Sequence, residues 1–155
     1  MSGFAIVWGH LRLTAAAEKT WLAQSVDAGH WKDWPEEIAA EEAGEIEVGP
    51  TFDEVGEWGE GCWLRLDRHG DELAIKGMLH EDAYRDLEAP LLMAFRAAAN
   101  AGATGAVYLA DDQMVDYGWS VRLAAKRSKV EPLDLDDARG KILPKAMKEI
   151  MAAAP

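Results

Sequence analysis

Residues 62–79, CWLRLDRHGDELAIKGML, decide the fold. Trp63, Leu64 and Leu66 on one side of the turn RHGD face Leu73, Ile75 and Leu79 on the other. Two apolar runs separated by a polar turn containing glycine form a β-hairpin, here Cys62 to Arg68 against Glu72 to Leu79. A hairpin needs further sheet or helix to cover its apolar side, so the chain on either side is read for partners.

Toward the N-terminus, Phe4 to Leu13 alternates Phe4, Ile6, Trp8 and His10 with Ala5, Val7, Leu11 and Leu13, the period-2 pattern of a strand. Both sets are largely apolar, which places this strand in the middle of a sheet. Thr14 stands where a helix N-cap oxygen is wanted, and Trp21, Leu22 and Val26 keep helical spacing, predicting a helix over 15–28. Beyond the hairpin, Tyr84, Leu87, Leu91, Leu92 and Phe95 predict a helix from Glu81 to Gly102, with Pro90 marking a kink or a new segment. Ala106 to Ala110 reads as a strand, Asp111-Asp112-Gln113 as a turn, and Met114 to Leu123 as a returning strand. A last helix over 144–153 opens at Pro144.

Between the first helix and the hairpin the reading is less regular. Pro35 can open a short helix, PEEIAAEEA, that ends at Gly44. Glu45 to Val48 has the length of a brief strand, and GPTFDEVGEWGEG, residues 49–61, with four glycines, reads as a loop or a poorly ordered edge. The expected architecture is a single α+β domain over 1–155. Its core is a mostly antiparallel mixed sheet of about five or six strands, with helices packed mainly on one face.

The charge distribution carries the functional reading. The chain has 28 Asp plus Glu against 16 Lys plus Arg, a formal charge of −12. Eleven of the acids fall between Lys32 and Arg65 with no lysine or arginine among them: Asp33, Glu36, Glu37, Glu41, Glu42, Glu45, Glu47, Asp53, Glu54, Glu57 and Glu60. Trp31, Trp34, Trp58 and Trp63 bracket and interrupt this run. The only cationic cluster, Arg122, Lys126, Arg127 and Lys129, lies far downstream. Such acidity opposes direct binding to nucleic-acid phosphates or anionic lipid and attracts cationic surfaces.

A run of like charges is by default a solvated face. Here the missing cations, the costly tryptophans and the confinement to one segment favour recognition, with aromatic rings supplying anchor area and carboxylates supplying orientation and on-rate. The candidate partner-binding residues are Trp34, Glu36, Glu37, Glu41, Glu42, Asp53, Glu54, Glu57, Trp58 and Glu60, with Trp34 and Trp58 as anchors. Trp8, Trp21, Trp63 and Trp119 sit in patterned elements and are assigned to the core.

Chemistry-bearing motifs are sparse. Cys62, the lone cysteine, permits neither an internal disulfide nor a cysteine-cluster zinc site and reads as a small buried hydrophobe. No nucleophile elbow, P-loop or dinucleotide fingerprint is present. His80, Glu81 and Asp82 form the one compact cluster suited to a divalent metal or acid–base work, although a strand-to-helix junction recruits such residues for capping anyway. No apolar stretch of about 18 residues is present to span a bilayer, and the N-terminus lacks a secretory pattern, so a cytoplasmic protein without a cofactor is expected.

On the ten residues named above, this acidic, cysteine-poor α+β chain resembles the immunity proteins of bacterial polymorphic-toxin and contact-dependent systems. The resemblance implies stoichiometric inhibition: a monomer or weak homodimer that binds a cognate basic toxin domain and covers its cleft, with no catalysis of its own. Two alternatives stand beside it. One is a small metal- or acid/base-dependent enzyme using His80, Glu81 and Asp82; the other is an acidic nucleic-acid mimic or regulatory module.

Overall fold

The computed structural model describes residues 3–111, 118–133 and 141–155. The strand β1, Phe4–Arg12, is central, as its two apolar sets require. It pairs antiparallel with β5, Glu72–His80, on one side and with β6, Thr104–Asp111, on the other. The hairpin partner β4, Trp63–His69, closes one end of the sheet. At the other end β7, Gly118–Ala124, and β8, Arg127–Pro132, complete a six-stranded antiparallel sheet in the order β4-β5-β1-β6-β7-β8. A two-residue ribbon, β2 (Ser25–Val26) with β3 (Ile46–Glu47), stands apart from it.

The two sets of β1 go to two cores. Val7 and Leu11 join Leu73, Ile75, Leu79, Val107, Leu109 and Val121 beneath helices α1 (Ala15–Leu22), α2 (Val48–Glu57) and α3 (Glu81–Arg96). Ile6 and Trp8 face the other way, against Ala146 and Ile150 of helix α4, Leu143–Ala153. Helices thus lie mainly on one face, and α4 covers part of the second, over β5 and β1. At Gly9 the neighbouring strand comes so close that an added Cβ would meet Ala106 O and lie 2.7 Å from Val107 Cα, which explains glycine in a central strand.

Trp21, Phe52 and Phe95 lock the three helices of the larger layer together, with ring centroids 5.3 Å apart for Trp21–Phe52 and 5.0 Å for Phe52–Phe95. The buried Trp21 indole donates to Ala94 O at 2.8 Å, which satisfies its only polar atom. Arg68 ties the hairpin to the start of α1. Its guanidinium donates to Glu18 Oε1 at 2.6 and 3.0 Å and to the carbonyls of Leu13 and Gly70 at 2.8 Å.

Several expected elements differ. The helix expected over 15–28 stops at Leu22, because Gln24 O accepts from Val48 N at 3.0 Å and Val26 pairs with Ile46 in the ribbon. The run PEEIAAEEA is not an α-helix: Pro35 O accepts from Ile38 N in a turn, and only Ala40–Ala43 wind, as a 3₁₀ turn. Ile38 and Ala40 are both buried, and an α-helix cannot turn residues two apart to one side.

Conversely the 49–61 loop is mostly helix. Val48, Thr51, Phe52 and Val55 recur at helical spacing and are all buried, and Pro50 lies in the first turn, where no N–H is needed. Burial of Phe52 outweighs the roughly 1 kcal/mol that each helical glycine costs. The strand β8 was not expected from the sequence, while the 111–113 turn and residues 114–117 of the returning strand fall largely outside the described residues. Trp8, Trp21 and Trp119 are core residues as expected, and Trp63 is half-buried at the α4 side.

Candidate partner-binding surface

The eight candidate carboxylates are all exposed. Glu36 and Glu37 occupy the turn after Pro35, and Glu41 and Glu42 the following 3₁₀ turn. Asp53, Glu54 and Glu57 line the solvent side of α2, opposite buried Phe52 and Val55. Glu60 lies between Gly59 and Gly61, both at positive φ. The 3₁₀ turn and α2 each pack on α3, so both acid-bearing segments belong to the larger helical layer. Among the described residues none of the eight forms an ion pair.

Asp33 is the exception among the eleven acids, and its partner is a residue the sequence reading passed over. Arg96, at the end of α3, is 1% exposed. Its guanidinium donates to Asp33 Oδ1 at 2.6 Å, Asp33 O at 3.1 Å, Ser128 Oγ at 2.8 Å and Ser128 O at 3.2 Å. The rings of Trp31 and Trp34 lie over it at 5.2 and 4.9 Å. A signal was present: Arg96 is the lone charge in LLMAFRAAA, residues 91–99, a run too apolar to sit at a surface.

Partial burial acts to raise the Asp33 carboxyl, but the hydrogen bond and positive charge of Arg96 outweigh it and leave Asp33 below its ordinary 3.8. A carboxylate with a lowered pKa stabilises the fold above its unfolded value and loses that contribution as pH falls through the folded one. We expect the stability gap between the native chain and Asp33→Asn, measured by urea melts, to be largest near neutrality and to close below about pH 4. The Asp33 side chain is 67% exposed, which holds the gap to about 1 kcal/mol or less.

The two proposed anchors are both half-buried. Trp34 stacks on Arg96, and its indole donates to Ala28 O at 3.3 Å. Trp58 caps the C-terminus of α2 and meets the His80 ring edge-on at 5.9 Å. Trp58 therefore stands beside the acids of α2 and Glu60, while Trp34 introduces the Glu36–Glu42 segment. The structure brings the ten residues onto one layer in two groups, each led by a tryptophan.

His80 is occupied. Its Nδ1 accepts from Ala83 N at 3.2 Å as the N-cap of α3, which leaves Nε2 to donate to Trp58 O at 3.3 Å. Both ring nitrogens are thus used in joining β5, α3 and the end of α2. Glu81 and Asp82 are exposed in the first turn of α3, where acids complement the helix dipole. Cys62 is buried, and its Sγ accepts from His80 N at 3.4 Å. No group of three or more metal-ligating side chains converges among the described residues.

A shallow cleft of about 320 Å³ opens on the other side of the sheet, lined by Arg65, Asp67, Lys76, Glu149, Ala152 and Ala153. Its charges face one another loosely, with Arg65–Asp67 at 3.6 Å and Lys76–Asp67 at 3.9 Å. Arg65 also donates to Ala153 O at 2.9 Å, clamping the end of α4. The cleft thus belongs to the seam that holds α4 to the sheet. No helix among the described residues is long and apolar enough to cross a membrane. Comparison with protein-family models, with curated proteins and with solved structures finds no match to this chain.

Proposed function

We propose that this chain is an immunity-type inhibitor acting in the cytoplasm, which neutralises a cognate basic toxin domain by stoichiometric occlusion, through binding and without catalysis. The observation that carries the reading is the set of eight exposed carboxylates, none of which forms an ion pair among the described residues. Each like-charged neighbour raises the energy of the free surface, and a cationic partner relieves it. Carboxylates set into a phosphate-binding groove occupy the place of nucleic-acid backbone, and Trp58 offers a half-buried ring beside them as a desolvated anchor. The occupied nitrogens of His80 weigh against the alternative of an enzyme built on His80, Glu81 and Asp82.

The test is a search for a gene beside this one that ends in a small basic domain, followed by co-expression of that domain with this chain. Growth is expected to be restored and a one-to-one complex to be recovered. In that complex, hydrogen exchange should slow in residues 33–60. A neutralising complex in which 33–60 exchanges as in the free chain, while another face is protected, would overturn the proposal.

A further inference from the structure

The structure gives the downstream cationic cluster, Arg122, Lys126, Arg127 and Lys129, a defined place. Ser128 and Val130 of β8 point toward the larger helical layer, so Arg127 and Lys129 point to the opposite face of the sheet. Arg122 of β7 alternates with buried Val121 and Leu123 and shares that opposite face. Arg122 and Lys129 are directly paired across the two strands, a like-charge pair with Cβ atoms about 5 Å apart, which is unfavourable in itself. Arg122 and Arg127 form no ion pair among the described residues, while Lys129 meets Glu131, its neighbour along the strand, at 3.7 Å, and its charge also acts on Asp33. All three cations are exposed, and α4 packs on β5 and β1, away from them.

Among the described residues, eight exposed acids without ion pairs lie on the helical layer, and Arg122 and Arg127, exposed and without ion pairs, lie on the far side of the sheet. We propose that the Arg122–Arg127–Lys129 face is a docking surface for the acidic helical layer of a second copy of this chain, giving a salt-sensitive head-to-tail association. Arginine forks donate paired hydrogen bonds to carboxylates, and exposed carboxylates are present on the same molecule. A nucleic-acid strand fits less well. On this face the rings of Trp8, which is buried, and Tyr108 are already stacked on each other at 5.9 Å. The repulsion expected from the chain's −12 charge is long-ranged and screened by salt, so patch contacts within about 8 Å decide the pairing at physiological ionic strength. The two surfaces differ, so the contact is heterologous and extends into short chains instead of closing as a dimer.

The inference does not depend on the inhibitor reading, because the purified chain alone tests it. Sedimentation velocity over a concentration series at about 0.15 M salt is expected to show a weight-average mass above the monomer. Arg122→Glu/Lys129→Glu should return it to the monomer, and so should Glu36→Gln/Glu37→Gln/Glu41→Gln/Glu42→Gln. Circular dichroism, expected unchanged for these exposed positions, separates lost contact from lost fold. A strictly monomeric native chain overturns the proposal, as does association that survives Arg122→Glu/Lys129→Glu. A monomeric chain that binds a labelled single-stranded oligonucleotide, with binding lost in Arg122→Glu/Lys129→Glu, also overturns it and assigns the face to nucleic acid.

Discussion

Replacing Arg96 with alanine is expected to destabilise the fold by about 3–5 kcal/mol, seen as a fall of roughly 2 M in the urea midpoint. The cost is not a stranded anion, since the Asp33 side chain is 67% exposed and water can take over its carboxylate. It comes from Ser128 O, Ser128 Oγ and Asp33 O, which lose their shared donor, at about 1–3 kcal/mol for each group left buried and unpaired. To that is added the loss of the cation between Trp31 and Trp34, and the space it leaves behind. Relief from desolvating a guanidinium offsets part of the sum.

Variants order the contributions. Arg96→Lys keeps the charge but not the fork and should lose about half as much; Asp33→Asn, at an exposed carboxyl, should lose least. An Arg96→Ala loss below about 1 kcal/mol would show that the bonds seen around the guanidinium carry little net stability. The same substitution should loosen residues 31–44 first, because Arg96 is the bolt between α3, β8 and the segment that carries Glu36 to Glu42. Hydrogen exchange across 31–44 should therefore rise more than across β1 and β5.

What could be read from the sequence follows from how local each determinant is. The hairpin 62–79 and the central strand β1 are written in neighbouring residues, and both appear in the structure within a residue or two. Helix α2 is not local: Gly49, Pro50 and Gly56 argue against it, and only Trp21 and Phe95, distant in sequence, supply the reason for Phe52 to face inward. Ile38 and Ala40 overrule the helix at 35–44 in the same way.

The strand β8 was missed because RSKVEP offers a single buried apolar residue, Val130, which is how a charged edge strand resists pairing with other chains. Its turn hides as well, with Lys126 rather than glycine or asparagine at positive φ. For the candidate surface, exposure of the acids was legible from charge alone. The interior use of Trp34 was not, since its ring contact is an arginine 62 positions away.

The substitution Glu36→Gln/Glu37→Gln/Glu41→Gln/Glu42→Gln is expected to slow association with the cognate toxin domain by about 10- to 100-fold at low salt while leaving dissociation nearly unchanged. Exposed charges without intramolecular partners act over distance, through the encounter, where steering raises on-rates from about 10⁵–10⁶ toward 10⁸–10⁹ M⁻¹s⁻¹. Once the complex has formed, they lie at its rim and retain water, so little is lost from the bound state. Dissociation should instead answer to Trp58→Ala, which removes a ring flanked by the acids of α2 and Glu60.

Salt supplies the internal check. The on-rate of the native chain should fall steeply as salt rises, and that of the four-glutamine variant should be nearly flat, so the two converge where screening is complete. Stability separates this from misfolding. All four positions are exposed and form no ion pair among the described residues, so urea melts should match the native chain. An on-rate equal to the native value at low salt would mean that the carboxylates only wet the surface. The cationic partner would then have to bind elsewhere, where the other 17 carboxylates are interspersed with all 16 lysines and arginines of the chain.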